Sequence, residues 1–174
     1  GYDHVAYFDD CSVAQEAQYT KLDTDLDTLA FSETIENDGW YTSLALMSDS
    51  TPCVAMQTSD EGELLYGCSS DAGETWSIET VDETGAIDTT HAYYMATNVA
   101  LAINSQDEPV IAYYDVENGD LLAATLQGGT WYYTTVDTEG DVGTAIDIVI
   151  DDKDMIHLTY FDVTNQALKY AVTE

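Results

Sequence analysis

Hydrophobic and polar residues alternate along short stretches of this chain, with the period of a β-strand rather than that of an amphipathic helix. Residues 146, 148 and 150 are all isoleucine and alternate with Ala145, Asp147 and Val149. Such alternation is typical of a strand with one buried face. The segment 43–81 contains four short runs rich in β-branched, aromatic and aliphatic residues, separated by Gly, Asp, Ser and Pro. No window shows convincing helical periodicity with capping residues, so the pattern predicts an all-β protein.

A sequence repeat organises these strands into four units. The segment Pro109–Asp115, which reads PVIAYYD, recurs 47 residues later as Ile156–Asp162, which reads IHLTYFD. Weaker copies lie at residues 52–57 and 3–9, so the successive repeat distances are 49, 57 and 47 residues. Distances of this size are typical of a four-stranded propeller blade.

The repeat predicts a single domain over residues 1–174, built as a β-propeller-like array of about four four-stranded antiparallel blades. The units span approximately residues 1–39, 40–85, 86–140 and 141–174. The first unit begins at its second strand and the last stops after its third, so both are incomplete and about 14 strands are expected. Three interpretations of the open edges compete: a piece of a longer propeller, a ring completed by further copies, or a head-to-tail polymer of copies that add strands to one another.

One turn in the second unit carries a recognisable motif. Residues 69–76 read SSDAGETW and match the Asp-box, Ser-x-Asp-x-Gly-x-Thr-Trp, at Ser69, Asp71, Gly73, Thr75 and Trp76. Together with the segments YTSLAL (41–46), AYYD (112–115), NGDL (118–121) and ETVD (79–82), this motif makes the chain resemble the secreted, Asp-box (BNR-like) β-propeller repeat proteins of bacteria and archaea. The resemblance to sialidase-like propellers implies a fold and not catalysis. In this interpretation the aspartate bonds the turn backbone, the glycine lets the chain reverse, and the tryptophan packs between sheets.

The charge balance excludes several functions. The chain has 34 acidic residues against three lysines and no arginine, for a net charge of −31. Binding to nucleic acid is excluded because phosphate recognition needs a basic face. The chain also lacks the arginine cluster with which sialidases bind the carboxylate of their substrate. The acidity is explained by adaptation to high salt, by calcium binding or by solubility alone, and the sequence leaves these three open.

Two of the three cysteines are placed to form a disulfide. Cys53 and Cys68 are equally distant from the predicted Asp60-Glu61 turn, which puts them opposite each other on adjacent antiparallel strands. A disulfide indicates an oxidising, extracellular compartment. The alternative is two small buried thiols. Cys11 has no obvious partner and is a candidate tether to another chain.

Three carboxylates alternate in the turn where the first unit would carry its own Asp-box. Asp23, Asp25 and Asp27 provide oxygen ligands of the kind that calcium prefers, so calcium is the predicted cofactor. The alternative is a solvated turn, because the segment lacks the glycine and the distal glutamate of an EF-hand loop.

A second group of candidate residues lies at one rim of the predicted propeller. Asp9, Asp115 and Asp162 end equivalent second strands, where they would bind a ligand or a partner, or would simply cap their turns. The long connection between the second and third units adds His91, Tyr93 and Tyr94. Aromatic side chains beside acids stack on sugars or pack against another subunit.

The sequence favours a non-catalytic extracellular or cell-surface module with a structural or adhesive role, self-assembling and stabilised by calcium or salt. The alternative is a carbohydrate-binding or carbohydrate-active propeller, a lectin or a glycoside hydrolase, with a glycan as partner. No nucleophile elbow, phosphate loop or zinc-protease motif occurs, so the balance leans away from an enzyme. No apolar stretch approaches the roughly 20 residues of a transmembrane helix, so no transmembrane segment is expected.

Overall fold

The computed structural model of the protein describes residues 2–9, 16–23, 29–37, 39–58, 62–84 and 98–173. Within these residues the chain forms 14 strands in four antiparallel sheets and contains no helix. The all-β, propeller-like fold expected from the repeat is therefore confirmed. The two terminal sheets have three strands and the two central sheets have four, in agreement with the incomplete first and last blades that the repeat predicts.

The strands follow the chain in order, and the second sheet begins at Gly39, which the repeat placed at the end of the first unit. The first sheet contains β1 (Tyr2–Asp9), β2 (Glu16–Asp23) and β3 (Leu29–Asn37). The second contains β4 (Gly39–Leu46), β5 (Pro52–Thr58), β6 (Glu63–Cys68) and β7 (Ser77–Glu83). The third contains β8 (Val99–Ile103), β9 (Pro109–Asp115), β10 (Asp120–Gln127) and β11 (Thr130–Asp137). The fourth contains β12 (Val142–Ile150), β13 (Ile156–Asp162) and β14 (Ala167–Val172).

This up-and-down order gives the molecule two different rims. The innermost strands β1, β4, β8 and β12 contact one another in sequence. The turns that follow the first and third strands of a full sheet lie at one end, which we call the Asp-box rim because residues 69–76 are there. The turns after the second strands lie at the other end with the connections between sheets, and we call this end the connection rim.

The core lies between neighbouring sheets. Tyr19 and Met56 belong to the cluster between the first and second sheets, Tyr66 and Ile111 to the next, and Leu158 to the last. In β12 the isoleucines at 146 and 148 are buried while the intervening residues are exposed, so the predicted alternation is confirmed.

The first strands of two sheets begin earlier than the hydrophobic pattern predicts. The strand expected from Ser43 begins at Gly39, and a β-bulge separates Trp40 from Ser43. Tyr41 in this bulge has a φ of 51°, and Ala145 has a φ of 50° at the equivalent place in β12. A β-bulge interrupts the two-residue alternation of hydrophobic and polar side chains, so the start of each strand could not be recognised from that alternation.

Aspartates on the Asp-box rim fasten neighbouring sheets to each other. Asp107 accepts hydrogen bonds from the backbone N–H (2.7 Å) and the hydroxyl (2.6 Å) of Ser48 in the preceding sheet. Asp154 accepts the same pair of bonds from Ser105, at 2.9 and 2.6 Å.

The described residues include no helix able to span a membrane.

Candidate functional site

The Asp-box turn is held by a closed set of internal hydrogen bonds. Asp71 Oδ1 accepts from the hydroxyl of Ser69 (2.7 Å) and from the backbone N–H of Thr75 (2.8 Å), and its Oδ2 accepts from the Thr75 hydroxyl (2.6 Å). The backbone N–H of Gly73 donates to Ser69 Oγ at 2.7 Å. Hydrogen bonds from Thr75 and Ser69 lower the pKa of Asp71 to about 2. These bonds engage both carboxylate oxygens and hold the turn in its conformation.

Trp76, at the end of this turn, packs against the preceding sheet. Its ring lies edge-on to that of Tyr19, with the ring centroids 5.2 Å apart. Trp131 makes the equivalent contact one sheet further on, with Tyr66, at 5.5 Å. A tryptophan at the start of the fourth strand therefore packs on a tyrosine of the preceding sheet, in β2 or in β6, at two successive interfaces.

Cys53 and Cys68 face each other across β5 and β6 and are joined as a disulfide. The Tyr66 hydroxyl lies 3.0 Å from the Cys68 sulfur. The bond links two neighbouring strands whose side chains belong to the core or pack against it.

Two of the connection-rim aspartates cap their own hairpins. Asp115 accepts hydrogen bonds from the backbone N–H of Glu117 (3.0 Å) and from the Asn118 side chain (2.7 Å). Asp162 accepts from the backbone N–H and the side chain of Asn165, at 2.8 and 2.9 Å. These hydrogen bonds with Asn165 lower the pKa of Asp162.

Several predicted site residues are not gathered into a site that the structure describes. Asp9 ends β1 at the connection rim, opposite Glu16. Asp23 ends β2. Among the described residues, no group of three or more His, Cys, Asp or Glu side chains is arranged to hold a metal ion. The remaining candidates lie outside the described residues: Cys11, Asp25, Asp27, His91, Tyr93 and Tyr94.

The connection rim also carries tyrosine–carboxylate pairs between sheets, which the sequence analysis missed. The Tyr113 hydroxyl donates to Asp82 of the preceding sheet at 2.5 Å, and the Tyr160 hydroxyl donates to Asp137 at 2.8 Å. Both pairs occupy equivalent repeat positions: each tyrosine is in a second strand and each aspartate follows Thr-Val in a fourth strand. The repeated Thr-Val-Asp segment therefore indicated the position of the aspartate, although it did not identify the tyrosine that donates to it.

Burial and the hydrogen bond to Asp82 raise the pKa of Tyr113, and burial with the bond to Asp137 raises that of Tyr160. Both phenols therefore stay protonated and act as donors. Lys169 adds a positive charge here: its ammonium forms an ion pair with Asp137 and lies 3.8 Å from Asp162.

A buried polar cluster lies where the second and third sheets meet at the same rim. Gln57 is fully buried, and its Nε2 donates to the Thr84 hydroxyl and to the Tyr114 carbonyl, both at 3.0 Å. Among the described residues, neither the Gln57 Oε1 nor the buried Asn98 Oδ1 has a hydrogen-bond partner. Thr84 and Asn98 flank the segment 85–97, so the two ends of this long connection lie at the polar cluster.

A further contact on the connection rim joins the third and fourth sheets. The Tyr114 hydroxyl donates to Asp141 at 2.8 Å.

Comparison with known proteins relates the chain to propeller enzymes by fold. A variant of the NanB sialidase from Streptococcus pneumoniae superposes with a TM-score of 0.65 at 16% identity, covering 98% of this chain and 29% of the sialidase. An ulvan lyase, from a family of polysaccharide lyases, superposes with a TM-score of 0.65 at 11% identity, covering 100% of this chain and 53% of the lyase. A protein of unknown function from Dyadobacter fermentans gives 0.63 at 13% identity, covering 97% and 49%.

This chain spans about half or less of the length of these proteins. Neither a scan of family models nor a search of curated proteins found a match. At such low identity the likeness shows the fold alone: a propeller of the type found in sialidases.

Proposed function

We propose that the chain is a carbohydrate-binding part of a β-propeller, and that the glycan binds on the connection rim. The observation that carries the proposal is the occurrence of three features on this rim, at the two interfaces that the third sheet makes with its neighbours. They are the buried oxygens of Gln57 and Asn98, which have no partner among the described residues, the Tyr114–Asp141 pair, and the residues Thr84 and Asn98 that flank the segment 85–97.

These features are more typical of a sugar-binding site than of a flat surface that binds another protein. Sugar sites combine aromatic faces with a few fixed polar groups. In the proposal, Tyr93 and Tyr94 supply the aromatic faces and the rim carboxylates accept hydrogen bonds from sugar hydroxyls. Support also comes from the solved structures of similar fold, among which are sialidases and a polysaccharide lyase.

The charge of the chain narrows the class of glycan. With a net charge of −31 and no arginine, it repels anionic sugars and provides no guanidinium for a carboxylate or a sulfate. We therefore propose neutral oligosaccharides as ligands. Asp82 and Asp137 already accept hydrogen bonds from tyrosines, which favours recognition over hydrolysis.

The test is a glycan-array screen with neutral and anionic oligosaccharides, followed by calorimetric titration of the hits. We expect selective binding of neutral glycans, and at least a tenfold loss of affinity in a Tyr93→Ala, Tyr94→Ala variant. Tyr132→Ala is the matched control, since this tyrosine is 54% exposed and lies beside the turn between β10 and β11 at the Asp-box rim. Absence of glycan binding, or equal losses in the two variants, would refute the proposal.

Further parts of the proposal concern assembly, calcium and location. The Cys53–Cys68 disulfide supports an extracellular or cell-surface location. A structural or adhesive role, association with other copies and calcium binding by Asp23, Asp25 and Asp27 stay predictions. Light scattering with calcium and then with chelator tests the association and the calcium binding. A mass of 19.1 kDa that does not change would argue against calcium-dependent assembly.

A further inference from the structure

The third sheet is a complete four-stranded sheet whose outer strand carries no charge along most of its length. This strand, β11, pairs among the described residues only with β10. Residues 128–136, which read GGTWYYTTV, contain no charged side chain, in a chain of which 21% of the residues are charged. An exposed, uncharged edge strand rich in aromatic and β-branched residues is a place where a further strand can pair.

The equivalent strand of the second sheet is protected against such pairing. β7 is also the outer strand of a four-stranded sheet, and its residues lie 55 positions before those of β11, counted from the tryptophan that leads each strand. β7 carries Glu79 and ends on Asp82 and Glu83. Charged side chains on an edge strand oppose the addition of another strand. The position of Glu79 is Thr134 in β11, so this protection is missing there.

The hairpin between β10 and β11 fixes which backbone groups of β11 face outward. Gly128 and Gly129 form a two-residue turn with φ angles of 57° and 81°, flanked by the pair Gln127 and Thr130. In such a turn the N–H after the turn donates to the carbonyl before it, so the Thr130 N–H faces β10. Because these groups alternate along an antiparallel strand, the backbone groups of residues 131, 133 and 135 point away from β10.

This outward-facing set of groups is complementary to itself. Two copies of β11 that pair antiparallel about a two-fold axis at Tyr133 place this residue opposite its own equivalent. The same register places Trp131 opposite Thr135 of the other copy. All three positions face outward, so each pair would exchange main-chain hydrogen bonds in both directions.

Side-chain contacts hold β11 in place for such pairing. The Tyr133 hydroxyl donates to the Val81 carbonyl at 2.6 Å, and the Trp131 Nε1 donates to Glu79 at 3.1 Å, so both rings are fixed on the second sheet. Tyr133 is still 54% exposed. A strand that is ordered before binding loses little conformational entropy when it pairs. Aromatic side chains that face each other across the pair add to its stability.

We propose that the outer edge of β11 is the interface of a two-fold symmetric dimer, formed by antiparallel pairing with β11 of a second copy of this chain. Each copy has a net charge of −31, so two copies repel each other except where both surfaces are uncharged, as they are along β11. A basic polypeptide would instead be drawn to the acidic surfaces. The interface uses none of the residues of the proposed glycan site, so either proposal can fail without the other.

Sedimentation equilibrium at several protein concentrations tests the dimer. We expect the average mass to rise with concentration from 19.1 kDa towards twice this value. Because salt screens the repulsion between copies, the dimer dissociation constant should fall at least tenfold between about 0.1 and about 1 M NaCl. Thr135→Pro removes an outward N–H and should raise this constant at least tenfold. Thr80→Pro makes the same change at the equivalent position of β7 and should leave it unchanged. Proline is tolerated on an edge strand, and far-UV circular dichroism will verify that both variants are folded.

A cross-linking experiment locates the two-fold axis without the use of proline. In a Cys11→Ser background, Tyr133→Cys would bring the two new cysteines to a Cα separation of about 5.5 Å, which is within the range of a disulfide. Mild oxidation should therefore give a covalent dimer, whereas Thr80→Cys in the same background should stay monomeric. A mass of 19.1 kDa at every concentration and salt, equal effects of the two proline variants, or equal cross-linking of the two cysteine variants would overturn the proposal.

Discussion

Replacement of Gly73 by alanine tests whether the Asp-box turn fits directly against the neighbouring sheet. Gly73 has a φ of 103°, and a Cβ atom built on it would overlap the ring of Tyr19 in the first sheet. That ring is held in place: Tyr19 is fully buried, its hydroxyl lies 2.6 Å from His4 Nδ1, and Trp76 packs edge-on against it.

The structure gives the size of the effect and a matched control. An alanine in the left-handed region costs about 1–2 kcal/mol. About 0.4–1 kcal/mol of this is offset because alanine lowers the conformational entropy of the unfolded chain. Overpacking against a fixed ring adds about 1–3 kcal/mol. Gly129 also has a positive φ, of 81°, but nothing lies within 4 Å of the position that a Cβ atom would take there. Gly129→Ala therefore also carries the cost of a positive φ, and it serves as the control without a ring contact.

Urea unfolding followed by circular dichroism measures both variants. Gly73→Ala should lose about 1–3 kcal/mol more than Gly129→Ala, which corresponds to a further drop in melting temperature of about 2–9 °C at this chain length. Equal losses in the two variants would refute the conclusion that this turn packs against the first sheet.

Three other perturbations have defined outcomes. Reduction of the Cys53–Cys68 disulfide, which closes a loop of 15 residues, should lower the free energy of unfolding by about 3 kcal/mol; an unchanged urea midpoint in a Cys11→Ser background would contradict this. Because the folded pKa of Asp71, about 2, lies below its ordinary value of 3.8, its stabilising contribution should be present above pH 4 and be lost as the pH falls through 2. Asp71→Asn should therefore destabilise more at pH 7 than at pH 2, and an equal loss at both values would argue against this role. Calcium should raise the melting temperature, and Asp25→Asn should abolish the increase; a melting temperature indifferent to calcium would contradict the predicted metal site.

The sequence predicted the sheets well because their signals are local or repeated. Alternation in β12 and the mirrored positions of Cys53 and Cys68 follow from the two-residue period of a strand, and both appear in the structure. The early start of β4 was not predictable in this way, since the bulge at Tyr41 shifts the register by which a strand is recognised.

The candidate site was harder to predict because its contacts run between sheets. Nothing in the local pattern says that Tyr113 meets Asp82 or that Lys169 meets Asp137, since these pairs depend on how separate blades pack. Asp115 shows a second difficulty: a carboxylate at the end of a strand suits a ligand site and a turn cap equally well. Only the hydrogen bonds with Glu117 and Asn118 reveal the cap.

The most direct test of the proposed glycan site is to map binding on the folded chain by NMR. A neutral oligosaccharide selected from the array would be titrated into the ¹⁵N-labelled protein while the amide signals are followed. We predict that shifts concentrate on the connection rim, at Thr84, Asn98, Tyr114 and Asp141, and leave Thr75 on the Asp-box rim unchanged. Shifts concentrated on the Asp-box rim, or no shifts with any glycan, would contradict the account.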